Sequence, residues 1–232
     1  MTKLSVIIPV FNEQKTIKEI VRRVQSVLLP DIEKEIIVVD DGSTDGTRDI
    51  LKNISGIKFV FHEQNLGKGG ALKTGIAKAT GDIVLIQDAD LEYNPNDYPQ
   101  LVFPIIEKRI PIVLGARIIP NKDERRKKSL YWAAWLGNHL ITWITNWLYW
   151  NNAKDYECCY KAILTSVLKQ VTVNTNDFDY DNELICKLLK RGYKTIDVSI
   201  RYNPRNYHSG KKIKWHHGFK ILWTIVKYRF VR

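Results

Sequence analysis

Long uncharged hydrophobic runs are rare in this 232-residue chain, and so are cysteine and methionine, with 3 and 1 copies. Two of the cysteines, Cys158 and Cys159, are adjacent, so a disulfide framework is not expected and a reducing compartment fits. The first residues, Met1 to Pro9, lack the apolar core of a secretory signal, so nothing suggests export. No Gly-x-Gly-x-x-Gly follows the first apolar run, which argues against a dinucleotide-dependent dehydrogenase. Gly67-Lys-Gly-Gly70 lacks the spacing of a phosphate-binding loop; its glycines suit close helix packing, and Lys68 carries little weight. Acidic residues are outnumbered, 25 against 36 Lys and Arg, leaving a formal charge of +11. That excess calls for an anionic partner: nucleic acid, a phosphorylated substrate or an acidic membrane surface. The remaining composition, 44% hydrophobic and 26% charged, is globular and excludes disordered and collagen-like chains.

The first half alternates short Val- and Ile-rich runs with amphipathic stretches. Leu4–Val10, Glu35–Asp40, Ile57–His62, Asp82–Gln87 and Ile112–Ala116 read as strands covered on both faces. Ile17, Ile20, Val21, Val24, Val27 and Leu28 recur at helical spacing, with Asn12 as the expected cap. Thr47–Asn53, Gly70–Ala79 and Asn96–Lys108 fill the later gaps as helices. Five such alternations predict an α/β fold: a mainly parallel, twisted sheet flanked by helices, in one domain over 1–232. The second half departs from this rhythm. A polar, mostly basic loop reaches Lys128, and Ser129–Ala153 then holds no Asp, Glu, Lys or Arg. Strand-like Tyr156–Leu164, a helix at Asn182–Arg191, a strand at Thr195–Tyr202 and a basic amphipathic helix at Gly218–Arg232 follow.

In an open parallel sheet, ligands bind beyond the carboxyl ends of the strands. This sequence places Asp40 and Asp41 after the second strand, Asp88, Asp90 and Glu92 after the fourth, and Arg117 after the fifth. An Asp-x-Asp past a strand offers carboxylate oxygens to Mg²⁺ or Mn²⁺, with positions left over for substrate phosphates. Asp and Asn also populate turns for local reasons. Three converging acidic groups on one edge of a basic chain favour a functional site.

Ser5-Val-Ile-Ile-Pro-Val-Phe-Asn-Glu13, Val38-Val-Asp-Asp-Gly-Ser-Thr-Asp-Gly46, Asn65-Leu-Gly-Lys-Gly69 and Gln87-Asp-Ala-Asp90 resemble the signature of inverting family 2 glycosyltransferases, which have the GT-A nucleotide-sugar-binding fold. Asp155-Tyr-Glu-Cys-Cys-Tyr-Lys161, Tyr202-Asn-Pro-Arg205 and Gly210-Lys-Lys-Ile-Lys-Trp215 are most similar to the dolichyl- or polyprenyl-phosphate hexose synthases, such as mannose or glucose synthases. The resemblance implies a nucleotide-sugar-binding half over 1–117 and an acceptor-binding half over 118–232. It implies that Pro9, Phe11, Glu13 and Asp40 hold the nucleoside, and that Asp88 and Asp90 hold a Mg²⁺ or Mn²⁺ ion on the donor diphosphate. Glu92, where relatives often carry Gln, is a further metal ligand by the same reasoning, and Asp90 joins the catalytic group. Arg117 would contact the reacting sugar or the acceptor phosphate; Arg125 or Arg126, with Ser129, would bind the lipid phosphate; Arg205 and Lys211 would close over the donor.

An inverting transfer needs an activated leaving group and a nucleophile on the opposite face. A sugar hydroxyl acceptor requires a carboxylate base, here Asp155 or Glu157. A phosphate acceptor is already ionised, because its second pKa is about 6, and needs basic residues instead. Arg117 together with the run Arg125 to Lys128 suits the second case. In Ser129–Ala153, Trp132, Leu136, Leu140, Trp143, Trp147 and Trp150 share a helical face opposite Asn138, Thr142, Thr145 and Asn146. Tryptophan favours the headgroup zone, so an in-plane interfacial helix is expected ahead of a core helix or a membrane span. Phe219, Leu222, Trp223, Val226 and Phe230 repeat the theme in the last helix. These features predict a peripheral enzyme on the cytoplasmic face of an anionic membrane, alone, as a homo-oligomer or with a separate membrane subunit. The alternatives are a family 2 enzyme acting on a glycan hydroxyl and a polyanion-binding module; acidic strand ends disfavour nucleic acid as a partner.

Overall fold

The computed structural model describes residues 1–118, 129–204 and 217–231, without the side chains of 118, 129–134 and 217. The lipid-phosphate candidates Arg125, Arg126 and Ser129 and the loop residues Arg205 and Lys211 lie outside the described side chains. Strands β1 (Thr2–Val10), β2 (Ile32–Asp40), β3 (Lys58–Phe61), β4 (Ile83–Ile86) and β5 (Ile112–Ile118) stand where the apolar runs predict them. Helices α1 (Ile17–Ser26), α2 (Thr47–Lys52), α3 (Lys68–Lys78) and α4 (Tyr98–Lys108) separate them. The second half adds α5 (Ser129–Tyr149), β6 (Lys161–Leu164), the short α6 (Thr165–Leu168), α7 (Tyr180–Lys190), β7 (Ile196–Arg201) and α8 (His217–Phe230).

Among the described residues seven strands form one sheet in the order β3-β2-β1-β4-β6-β5-β7. β6 runs antiparallel to both its neighbours, and every other pairing is parallel. The first residues of β6 therefore share an edge with the last residues of β1, β2, β4 and β5, which brings Asp155 to Arg117 and the Cys159–Lys161 stretch to Asp88. The strand faces are filled by Val6, Ile7, Ile8, Ile37, Val38, Leu85 and Leu114, all inaccessible to solvent. Such near-continuous apolar strands are stable only when helices cover both faces. Gly75 lets α3 lie directly on the sheet: a Cβ there would sit 2.4 Å from Ile7 Cγ2.

Three sequence expectations change. Asn12 does not cap α1; it adopts φ +52 and its Oδ1 accepts from the Thr44 amide at 2.8 Å, while Thr16 stands at the helix start. The segment expected as a strand from Tyr156 is strand only from Lys161, because Asp155 and its neighbours are drawn into side-chain contacts. The helix expected over Ser129–Ala153 ends at Tyr149. Among the described residues no helix is long and apolar enough to cross a membrane.

Candidate active site

The edge begins with two turns laced together. The Asn12 amide donates to Ser43 Oγ at 2.9 Å, the Glu13 amide to Thr47 Oγ1 at 3.1 Å and the Gln14 amide to Asp45 at 3.0 Å. The turn after β1, with Phe11 and Glu13, is thus fixed against the turn after β2. Asp40 closes this corner and is inaccessible to solvent. Its Oδ1 accepts from Arg48 Nε at 2.6 Å and from the Ser43 amide at 3.1 Å. Among the described residues its Oδ2 is buried without a hydrogen-bond partner. A buried carboxylate oxygen lacking a donor is costly, and a ligand N–H placed there would satisfy it. Asp41 turns the other way. Its oxygens accept from the Leu66 and Gly67 amides at 2.9 and 2.8 Å and pair with His62 at 2.7 Å. These contacts hold the start of α3 in place. Gly67 there has φ +88, and a Cβ would lie 2.4 Å from the Asn176 carbonyl oxygen.

The second corner follows β4. Gln87 is buried, and its Oε1 accepts from the hydroxyls of Tyr98 and Tyr160, each at 2.8 Å. This network anchors the turn that carries Asp88, Asp90 and Glu92. Asp90 Oδ1 accepts from the Glu92 amide at 3.0 Å, and Glu92 Oε2 accepts from the Tyr202 hydroxyl at 2.7 Å. The Asn203 amide donates to the Glu92 carbonyl at 2.9 Å, tying the end of β7 to the same turn. Asp88 Oδ1 lies 2.9 Å from Lys68 Nζ. Burial alone would raise the Asp88 carboxyl, but the charge and hydrogen bond of Lys68 hold it below its ordinary value.

The resemblance implies a divalent ion at this corner. Asp88 and Asp90 offer the hard carboxylate oxygens that Mg²⁺ and Mn²⁺ take, and Lys68 keeps Asp88 ionised, so the donor set fits. Among the described residues no three His, Cys, Asp or Glu side chains close into a metal-holding group. Further ligands would have to come from the substrate, as is usual for Mg²⁺ on phosphates.

The third corner lies where β5 and β6 meet the edge. Arg117 and Asp155 form a two-point ion pair, Nε to Oδ2 at 2.6 Å and Nη2 to Oδ1 at 2.9 Å. The guanidinium stacks over Tyr202 at 5.3 Å from the ring centre. Asp155 Oδ1 also accepts from the Glu157 amide at 3.1 Å. Glu157 itself accepts from Asn182 Nδ2 at 2.6 Å, and burial pushes its carboxyl above the ordinary value. Cys158, Cys159 and Cys186 are free, buried thiols, and burial pushes Cys158 up to about 12, so they stay protonated packing groups.

Pro9, Phe11, Glu13, Asp40, Asp88, Asp90, Glu92, Arg117 and Asp155 therefore gather on one edge. Sequence reasoning undervalued Lys68 and gave Tyr202, quoted only as part of a motif, no role of its own. A lysine beside glycines gives no sign that it will sit on an Asp-x-Asp twenty residues away; only the packing of α3 across β1 and β2 brings its first residue to that turn.

Residues 5–172 match the family described as Glycosyl transferase family 2. The chain is 29% identical over 243 residues to a UDP-N-acetylglucosamine–dolichyl-phosphate N-acetylglucosaminyltransferase of Methanococcus voltae, covering 95% of this chain and 93% of that one. It is 30% identical over 178 residues to the dodecaprenyl-phosphate galacturonate synthase of Rhizobium johnstonii, covering 73% of this chain; it spans half the length of that relative. Glucosyl-3-phosphoglycerate synthase from Mycobacterium tuberculosis, in complex with Mn²⁺, UDP and phosphoglyceric acid, superposes with a TM-score of 0.69 at 20% identity, covering 100% of this chain and 80% of that one. That likeness is one of fold, the GT-A arrangement of a mainly parallel sheet between helices. With a family match over most of its length and an acidic strand-end edge to go with it, the chain belongs to glycosyl transferase family 2 and is a glycosyltransferase.

Proposed function

We propose that this chain transfers a hexose, with inversion, from a nucleotide sugar such as GDP-mannose or UDP-glucose to a polyprenyl or dolichyl phosphate at the cytoplasmic face of a membrane. The observation that carries the acceptor choice is the Arg117–Asp155 pair. A hydroxyl acceptor needs a carboxylate with a lone pair aimed at the reacting proton. Both Asp155 oxygens are engaged by Arg117, and Glu157 is turned to Asn182. A phosphate nucleophile needs no base, and arginine suits its recognition. The relatives named for dolichyl-phosphate and dodecaprenyl-phosphate products point the same way.

In this reading Asp40 Oδ2 receives an N–H of the nucleoside, with Pro9, Phe11 and Glu13 beside it. Asp88 and Asp90, with Glu92 next to them, hold the Mg²⁺ or Mn²⁺ ion, which supplies Lewis-acid stabilisation of the departing diphosphate. Arg117 orients the acceptor phosphate against the sugar carbon opposite the leaving group. Arg125 or Arg126, Ser129, Arg205 and Lys211 complete the acceptor and donor contacts.

The membrane side rests on the outward face of α5. On α5, Thr142 and Thr145 are buried, and Asn146 bonds both the amide and the carbonyl of Ala153. The inward face thus carries these polar groups together with Ile141 and Tyr149, and aromatic side chains point out: Trp143, Trp147 and, just past the helix, Trp150 are 65%, 67% and 77% exposed. α8 packs beside it, with the Tyr149 hydroxyl donating to the Ile225 carbonyl at 2.8 Å, and exposes Phe219, Trp223 and Phe230. Large aromatic patches in contact with water mark interaction surfaces, and tryptophan with nearby Lys227 and Arg229 suits an anionic bilayer interface.

The test is a panel of labelled UDP- and GDP-sugars incubated with the chain, Mn²⁺ or Mg²⁺, and a polyprenyl phosphate, with the organic phase counted. Label in the lipid phase with one donor supports the proposal and names the sugar. Label confined to water-soluble glycan sinks the acceptor assignment and returns Asp155 to the role of base.

A further inference from the structure

Behind the donor edge four charged side chains alternate in sign. Lys68 opens α3, Asp88 follows β4, Asp181 lies in the first turn of α7 and Lys161 opens β6. Lys68 Nζ is 2.9 Å from Asp88 Oδ1 and 3.7 Å from Asp181 Oδ2. Lys161 Nζ is 3.9 Å from Asp181 Oδ1 and is bonded to the Cys158 carbonyl. The Lys161 side chain is only 1% exposed, so it has no other place to go. Asp181 Oδ1 is buried and, among the described residues, accepts no hydrogen bond. Lys68 thus stands between two carboxylates, satisfied by one and within a short rotation of the other. Lys68 faces Oδ2 of Asp181, while the oxygen without a donor is Oδ1, on the Lys161 side.

We propose that Asp181 is a positioning residue that receives Lys68 when Asp88 turns to the divalent ion of the donor complex. The inference rests on the reading that Asp88 and Asp90 hold that ion. Lys68 and the ion compete for the same carboxylate, and two cations cannot share it at close range without repulsion. Asp181 gives the displaced ammonium a partner a short distance away. Lys161 in turn keeps Asp181 compensated while Lys68 is on Asp88, so the cluster stays balanced in both arrangements: Lys68 on Asp88 at rest, Lys68 on Asp181 with the ion bound.

The experiment measures Mn²⁺ affinity directly, by the loss of the free-ion EPR signal, in the presence of UDP and separately of GDP, against nucleotide-only controls. The proteins are the wild-type chain, Lys68→Met, Asp181→Asn and the double variant. Lys68→Met is expected to bind Mn²⁺ about 3- to 10-fold more tightly, because the competitor is gone, and Asp181→Asn about 10-fold more weakly. The double variant decides between transfer of Lys68 and simple charge effects. If Asp181 acts by receiving Lys68, the double variant binds like Lys68→Met. If the two charges merely add, it returns to the wild-type affinity, and the proposal fails. Single variants within twofold of wild type, or shifted in the same direction, also overturn it. Should Asp181→Asn fail to fold, Lys68→Met alone decides: unchanged or weaker Mn²⁺ binding refutes the competition. Mn²⁺ binding by wild type with insensitive variants removes this inference and leaves the metal reading standing; no binding by wild type with either nucleotide removes both.

Discussion

A carboxylate whose two oxygens both accept from one guanidinium is held in place by that pair and in turn holds the arginine. Asp155 is in that position, which makes its replacement informative. Asp155→Asn is expected to lower kcat by no more than about tenfold, through looser placement of Arg117, and to leave the pH profile of kcat unchanged. A loss of about 10³-fold or more, with an acidic limb gone from the profile, would mark it as the base. Arg117→Ala should raise the acceptor KM far more than the donor KM in the same assay. Asp90→Ala should abolish ion-dependent turnover while thermal unfolding stays within a few degrees of wild type. Glu157 offers a stability test. Burial raises its carboxyl above 4.5, so the unfolded chain ionises first as pH rises. The stability associated with the neutral form is complete below the unfolded pKa and is lost as pH rises through the folded one. Glu157→Gln keeps an acceptor for Asn182 and removes that loss, so its Tm relative to wild type should climb as pH rises from about 4 to 7. A constant difference across that range would contradict the burial argument.

Among the elements, those whose function is to pack were the most legible. Val and Ile runs marked β1 to β5 to within a few residues, and the spacing of Ile17, Ile20, Val21 and Val24 marked α1. The antiparallel insertion of β6 was not legible, because a four-residue apolar strand has no direction in its sequence. Asn12 was misjudged for a related reason: its side chain serves a turn thirty residues away rather than the helix beside it. The same packing logic gives Gly75→Ala a definite cost. The added methyl meets Ile7 Cγ2 and Val39 Cγ2 on a fully buried sheet face, so a loss of about 1–3 kcal/mol is expected. Chemical denaturation would register it as a lower midpoint at unchanged slope; an unchanged midpoint would mean that α3 is free to shift. The exposed tryptophans differ. Trp143→Ser and Trp147→Ser should leave the midpoint within about 0.5 kcal/mol of wild type, since neither side chain fills the core.

For the whole molecule, the net charge of +11 and the outward aromatic face of α5 and α8 both suit an anionic lipid surface. The wild-type chain should sediment with liposomes containing phosphatidylserine or phosphatidylglycerol, and a Trp143→Ser, Trp147→Ser, Trp223→Ser variant should remain largely in the supernatant. Binding should weaken as salt rises from 0.05 to about 0.5 M, where charges are screened over a few ångströms. Equal sedimentation of both proteins would assign the aromatic face to a protein partner. The alternation of strands and helices and the Asp-x-Asp made the parallel strands of the first half and their acidic edge legible in the sequence. The second half was legible only in part, because the contacts of Arg117 with Asp155 and Tyr202 join three distant segments. The most direct measurement of the central claim compares transfer from the preferred nucleotide sugar to a polyprenyl phosphate and to the same polyprenol without its phosphate. Transfer to the phosphate alone, with a rate that follows ionisation of its second proton near pH 6, is the expected result. Comparable transfer to the free alcohol would contradict it, because that reaction needs a base, which the Arg117–Asp155 pair is held not to supply.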